Sequence, residues 1–296
     1  MGTNPFAAVL EKAERKAEEN TVVNDCDYRN EDGLLVCGKC HTPKQIRHYV
    51  EMLGEWRTPY CMCECESEAY EREKKLRKLW EQKQERLKMI PANRSKAFPD
   101  VDESTAPEDD MRNWKFENDD GRKPKYIAIA KKYVETFETH LAKGAGLMFY
   151  GTVGTGKSFL SGCIANALLD KGYKVCMTSF GRISSTYFSA KDKQAFMDSL
   201  NEFELLIIDD FGAERGTEFM NEIVYNVLDA RSRSGKPLIM TTNLTGAELT
   251  RPQGIAKERI YSRALVMCTP LEIAGENRRE QKALQRAAEM KELLGF

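Results

Sequence analysis

The pattern of apolar and polar positions changes texture about a third of the way along the chain. From residue 111 onward, short apolar runs alternate with longer stretches in which apolar residues recur every three or four positions. "GLMFYG", "YKVCMTSF", "ELLIIDDFG" and "KPLIMTTNL" read as strands, near-continuous in apolar residues as strands covered on both faces should be. "YIAIAKKYVETFETHL", "SFLSGCIANALLDKG" and "TEFMNEIVYNVLDARSRSG" have helical spacing, and the last two close on Gly172 and Gly235. The segment after Gly246 reads as mostly helical. Strands alternating with helices predict an α/β fold, a parallel sheet between helical layers.

The first third is different. Residues 66–90, "ESEAYEREKKLRKLWEQKQERLKMI", contain no Gly or Pro and mix charges of both signs, which predicts a long exposed helix. Leu76, Trp80, Leu87 and Ile90 would form a narrow apolar stripe on it. "DVDESTAPEDD", between Pro99 and Met111, is a linker by composition. Three parts follow: residues 1–65, with a short polar helix and most of the cysteines; a charged helix and acidic linker over 66–110; and an α/β domain over 111–296.

Composition narrows the class. Of 296 residues, 41% are hydrophobic and 31% charged, and the formal net charge is −1. Global charge therefore argues neither for nor against a nucleic-acid partner. No apolar run approaches the roughly 20 residues that span a bilayer. The first residues do not form a signal peptide, and "MGTNPF" has Phe6 where a lipidation signal needs Ser or Thr. The reading is a cytoplasmic protein.

"GTVGTGKS", residues 151–158, follows a strand and opens a helix. Gly151, Gly154 and Gly156 free the backbone to turn its N–H groups onto phosphate oxygens, and the helix N-terminus adds positive potential. Gly151, Thr152, Val153, Gly154, Thr155, Gly156, Lys157, Ser158 and Phe159 form the expected ATP-binding set. Lys157 should reach the β- and γ-phosphates and the Ser158 hydroxyl should ligate Mg²⁺. "LLIIDD" brings Asp209 to the carboxyl end of a central strand as a second Mg²⁺ ligand, with Asp210 beside it to polarise water. Asn243 ends a later strand and would orient that water. Together these residues describe ATP hydrolysis by positioning and charge stabilisation.

Six of the nine cysteines lie in residues 26–65. "VCGKC" and "PYCMCECE" give C-x₂-C, twenty intervening residues, then C-x-C-x-C, a spacing that suits tetrahedral Zn²⁺. Cys37, Cys40 and Cys61 fill three places, and Cys63 and Cys65 compete for the fourth; His41 and Cys26 are outside candidates. Four thiolates leave no open position, so the site would be structural. Cys163, Cys176 and Cys268 stand in apolar surroundings as core residues.

The ordered set "WKFENDDG", "AKKYVETFE", "GTVGTGKS", "LLIIDDFG", "TTNL", "KERIYSRAL" and "GENRR" resembles the AAA+ ATPases, and among them the DnaC-type helicase loaders, with the IstB transposition ATPases as near relatives. The resemblance covers about residues 112–280. It implies that Asn243 is the sensor-one residue, Arg263 the arginine finger offered to a neighbouring subunit (Arg259 the fallback), and Arg278 the sensor-two arginine, with Arg279 one place away. By residue chemistry alone these four arginines read as surface cations. Asp210 departs from the family, where Glu is commonest. The resemblance further implies slow, assembly-stimulated ATP turnover, self-assembly through the AAA+ domain, and a replicative DNA helicase and single-stranded DNA as partners, with the amino-terminal domain contacting the helicase. Lys191, Lys193, Arg231, Arg233 and Lys236 are candidate DNA contacts. The alternatives are an IstB-like transposition ATPase that binds duplex DNA and a transposase, and a zinc-bearing adaptor in which ATP acts as a switch.

Overall fold

The polar amino-terminal third folds around cysteines and one buried charge cluster. A computed structural model describes residues 5–20, 23–51, 53–102, 104–106, 110–214 and 216–294. Met1–Asn4 of the "MGTNPF" stretch, and Glu103 and residues 107–109 of the acidic segment, lie outside the described residues. The chain divides into two compact units, residues 1–83 and 84–296.

In the first unit a helix, α1 (Pro5–Asn20), precedes two small antiparallel hairpins. These are β1 (Tyr28–Arg29) with β2 (Leu35–Val36), and β3 (His48–Val50) with β4 (Glu55–Arg57). Helix α2 (Glu64–Lys88) then carries the chain past residue 83. Lys44 is fully buried between Asp27 (2.8 Å) and Glu66 (2.7 Å). Burial opposes its charge, but these two carboxylates outweigh that and hold its pKa above the ordinary value. The Lys44 ammonium in turn brings the Asp27 carboxyl down to about 2. α2 matches the predicted helix, with Glu71–Lys74 and Glu73–Arg77 pairs along it. Of its expected stripe, Leu76 and Trp80 are exposed and Leu87 is half-buried.

The second unit begins with the end of α2 and α3 (Ile90–Ala97), followed by two short 3₁₀ turns over 111–113 and 116–118. Residues 91–99, between the predicted helix and the stretch read as a linker, pack into this unit, and Asp100 at the head of that stretch is tied to it. Ala97 and Phe98 are buried. Asn93 Nδ2 donates to Gly172 O (3.1 Å), and Asp100 accepts from the Thr178 and Ser179 hydroxyls, each at 2.7 Å. Two apolar residues in a row give no periodicity to read.

Then come α4 (Pro124–Glu135), α5 (Phe137–Lys143), β5 (Gly146–Tyr150), α6 (Lys157–Asp170), β6 (Val175–Ser179), α7 (Phe180–Ser189), α8 (Lys193–Leu200), β7 (Leu205–Phe211), α9 (Glu218–Ser234), β8 (Leu238–Thr242), α10 (Gly246–Thr250), α11 (Ile255–Met267), β9 (Cys268–Glu272) and α12 (Arg278–Leu294). The single helix expected over 126–141 is two: the Thr136 hydroxyl bonds back to Lys132 O (2.8 Å) and the chain turns there. α9 ends on left-handed Gly235, as expected.

The five strands are all parallel, in the order β6-β7-β8-β5-β9. Leu205 and Ile207 face one side with α4 and α6, while Leu206 and Ile208 face the other with α7, α9 and α11. Each side of the sheet thus carries its own apolar cluster, and the α/β fold with a parallel sheet between helices expected from the sequence is the fold observed. The chain after Gly246 is mostly helical, as expected, but it also carries the strand β9, which the sequence did not announce. β9 pairs with β5 at the sheet edge, where Pro270, lacking an N–H, is tolerated.

Candidate functional site

The loop from Gly151 to Gly156 joins β5 to α6 at the carboxyl edge of the sheet. Gly151, Gly154 and Gly156 have φ of 137°, 77° and 89°, values that side chains rarely adopt. A Cβ on Gly154 would stand 1.8 Å from Asn277 Oδ1. The Thr155 side chain is buried, its hydroxyl donating to Thr152 O (3.0 Å). Lys157 Nζ folds back to donate to Gly151 O (3.0 Å), Thr152 O (2.7 Å) and Asn243 Oδ1 (2.8 Å). Burial lowers its pKa, against the pull of Asp210 and Asp209. The lysine predicted to meet phosphate therefore already lies in the loop's hollow, held by acceptors that a phosphate could replace.

Asp209 and Asp210 sit where β7 loses register with β8. Ile208 pairs with Met240 and Phe211 with Thr242, so the two acids share the span opposite Thr241, a β-bulge. The bulge restores Phe211 to the face of Leu206 and Ile208. Asp209 is held below the loop by the Thr241 hydroxyl (2.6 Å) and the Ser158 hydroxyl. Burial nonetheless raises its pKa, with the Asp210 charge adding to the rise. Asp210 is exposed at the cleft with a φ of 55°, and Asn243 Nδ2 lies 3.5 Å from its Oδ1.

The cleft over this loop has a volume of about 510 Å³ and is lined by residues 153–159, Asp210, Asn243, Arg278 and Arg279. Arg278 lines this cleft. Its backbone N–H donates to Gly154 O (3.0 Å), its guanidinium stands 3.6 Å from a Cβ built on Gly156, and its Nη2 donates to Asp120 (3.0 Å). Its Nε is buried without a hydrogen-bond partner, a donor left over at the cleft. Trp114, Asn118 and Asp120 also line the cleft. Their chemistry gave no individual signal, although "WKFENDDG" lies in the segment that carries the family resemblance. Thr241, the support of both acids, was also missed: a threonine in a strand looks like any other.

Arg263 and Arg259 are absent from the cleft lining. Arg263 ion-pairs with Asp229 (2.7 Å), donates to the Tyr225 hydroxyl (2.8 Å) and lies over that ring, which Arg259 also faces. The candidate DNA contacts are mostly occupied elsewhere. Arg231 is fully buried and donates to the carbonyls of Phe203, Glu204 and Pro237, so it is a structural clamp and not a surface contact. Lys236 caps Asn201 O, Arg233 pairs with Asp229, and Lys193 lies over the Tyr187 ring; Lys191 remains exposed.

In the first unit, Cys37, Cys40, Cys63 and Cys65 place their sulfurs within 4.8 Å of one another. Cys37 and Cys65 are 3.7 Å apart, close to the roughly 3.8 Å edge of a tetrahedron built on Zn–S bonds of about 2.3 Å. The donor set and spacing fit zinc. Gly38 bends the first turn, where any Cβ would stand 1.9 Å from Cys26 O. The expectation that Cys61 fills a place while Cys63 and Cys65 compete is corrected. Cys61 lies in extended chain with its backbone N–H on Lys44 O (2.8 Å) and its thiol towards Pro43 O, whereas the start of α2 brings in both Cys63 and Cys65. His41 and Cys26 also stand outside the cluster.

Residues 82–286 match the family described as IstB-like ATP binding protein. The replicative helicase loader DnaC of Escherichia coli (strain K12) is 30% identical over 142 residues, 46% of this chain and 56% of that protein. The replicative helicase loader DnaI of Bacillus subtilis (strain 168) is 32% identical over 162 residues, 50% of each chain. The chain thus spans about half the length of the curated relatives it matches. A crystal structure of DnaI covers 62% of this chain and 96% of its own at 22% identity, with a TM-score of 0.50, a likeness of fold. No helix among the described residues is long and apolar enough to cross a membrane.

Proposed function

The chain belongs to the IstB-like ATP binding protein family, and from that premise we propose that it is a Mg²⁺-dependent ATPase that places a replicative DNA helicase on single-stranded DNA. The observation that carries the reading is convergence. Lys157, Asp210, Asn243 and Arg278 arrive from four separate elements on one cleft, above a loop whose glycines are shaped to receive phosphate. The names of the relatives at about 30% identity point to helicase loading as the use of that cleft.

Lys157 exchanges its loop carbonyls for β- and γ-phosphate oxygens. Ser158 and Asp209, already in contact, are the residues that hold Mg²⁺. A bound Mg²⁺ neutralises charge on the phosphates. Asp210 accepts a hydrogen bond from the attacking water, and Asn243, beside it, fixes that water's direction. Arg278 brings its cationic side chain, with its spare Nε donor, to the phosphate end of the cleft. Arg263 faces away from its own cleft and acts on the nucleotide of a neighbouring copy, so turnover is slow until chains assemble. Cys37, Cys40, Cys63 and Cys65 hold a structural zinc that lets the first unit fold and present a surface to the helicase.

The family's description keeps the transposition reading in view. Affinity capture with the purified chain separates the two. Recovery of the replicative helicase in the presence of ATP supports loading, and recovery of a transposase without the helicase contradicts it.

A further inference from the structure

The bulge that sets Asp209 and Asp210 apart is held by one side chain. The Thr241 hydroxyl donates to Asp209 Oδ1 at 2.6 Å and accepts the Asp210 backbone N–H at 3.0 Å. Thr241 itself is fully buried. Both partners need the help. Asp209 is a half-buried carboxylate, for which a lost hydrogen bond leaves a charged acceptor less satisfied. Asp210 keeps a left-handed backbone at φ 55°, which a non-glycine residue holds only where its surroundings enforce it. Without the bulge, Asp210 and Phe211 would each turn to the opposite face of the sheet.

We infer that Thr241 is a positioning residue for ATP hydrolysis: one hydroxyl fixes the Asp209 carboxylate for Mg²⁺ and the Asp210 backbone in the turn that sends its side chain into the cleft. The inference rests on the ATPase reading above. A hydroxyl is suited to the task because it donates and accepts at once. Valine has nearly the same shape and does neither, whereas serine does both.

The test compares Thr241→Val and Thr241→Ser with Asp210→Asn in the full chain. Three quantities are measured: binding of a fluorescent ATP analogue without divalent cation, Mn²⁺ binding to the protein–nucleotide complex by electron paramagnetic resonance, and steady-state hydrolysis. Thr241→Val should bind the metal-free analogue as the wild type does. Its Mn²⁺ affinity and turnover should each fall about 10–100-fold, the usual consequence of removing a group that orients a metal ligand. Thr241→Ser should restore both. If the valine variant does not fold, Thr241→Ala takes its place with the same expectations. Wild-type Mn²⁺ affinity and turnover in Thr241→Val, or a serine variant as impaired as the valine one, overturns the inference. The wild type and Asp210→Asn separate the failures. Absence of hydrolysis in the wild type removes the ATPase reading itself, normal hydrolysis in Asp210→Asn removes the role of Asp210, and an inactive Asp210→Asn beside an active Thr241→Val removes Thr241 alone.

Discussion

Replacing Cys63 and Cys61 by serine, one at a time, sets the geometry of the first unit against the spacing of its cysteines. Among the described residues of 1–83, the buried apolar side chains are Leu35 and Val36, beside the thiols of Cys37 and Cys63. At about 1.5–3 kcal/mol for each fully buried aliphatic side chain, that pair contributes roughly 3–6 kcal/mol. A structural zinc contributes about 10–16 kcal/mol at neutral pH. A zinc held by the four thiolates would therefore outweigh the burial of Leu35 and Val36, and losing one thiolate should unfold the hairpins. Cys61 holds its place through its backbone, and its thiol makes one weak contact, so Cys61→Ser should change stability by less than about 1 kcal/mol. Elemental analysis should give about one zinc per chain in the wild type and in Cys61→Ser, and close to none in Cys63→Ser. Limited proteolysis should then open residues 1–83 in Cys63→Ser while the second unit still binds nucleotide. Loss of zinc from Cys61→Ser, with zinc retained in Cys63→Ser or Cys65→Ser, would refute the cluster as drawn.

Two further outcomes follow from the second unit. Arg263→Ala should bind ATP normally but lose roughly 10³-fold in turnover, as removal of an arginine finger does. Mixing it with Lys157→Ala chains should recover part of that activity, and a co-assembled mixture that stays inactive would leave Arg263 a partner of Asp229 and Tyr225 only. Arg231→Met should lower stability by about 3 kcal/mol or more, since it strands the buried carbonyls of Phe203, Glu204 and Pro237. A melting temperature unchanged from the wild type would contradict its role as a clamp.

The nucleotide site was legible because its chemistry is written contiguously. Three glycines, a lysine and a serine fall within eight consecutive positions, and two aspartates close an apolar run, so neither the loop nor the strand end needed tertiary information. What escaped depends on contacts between distant segments. Thr241 matters because a bulge on a neighbouring strand places two acids opposite it, and no spacing in "IMTTNL" announces that. Arg231 looked like one more basic residue at the end of a helix; only the starts of β7 and β8, folded over it, turn it inward. The C-x-C-x-C run showed which sulfurs were near but not which join the cluster that could hold a metal. That choice is made by α2, whose first turn carries Cys65 and draws Cys63 inward while Cys61 stays in extended chain. β9 was hidden by Pro270, a residue that argues against a strand everywhere but at an edge. Residues 91–99 carry no pattern to read between the charged helix and the acidic linker, and the linker reading of Asp100 came from composition, although Ala97, Phe98 and Asp100 are bound into the second unit.

The central claim is that this cleft converts ATP into the placing of a helicase, and a reconstituted loading assay addresses it directly. The replicative helicase, a circular single-stranded DNA carrying a short annealed strand, and the purified chain are combined with ATP, and release of the annealed strand is followed. The account predicts release that requires both the chain and ATP. It should be absent with Lys157→Ala, which lacks the charge that seats the phosphates. With Asp210→Asn it should stop after a single round, because ATP still binds but is not consumed. Release by the helicase that is unchanged when the chain is omitted, or that proceeds equally with Lys157→Ala, would contradict it.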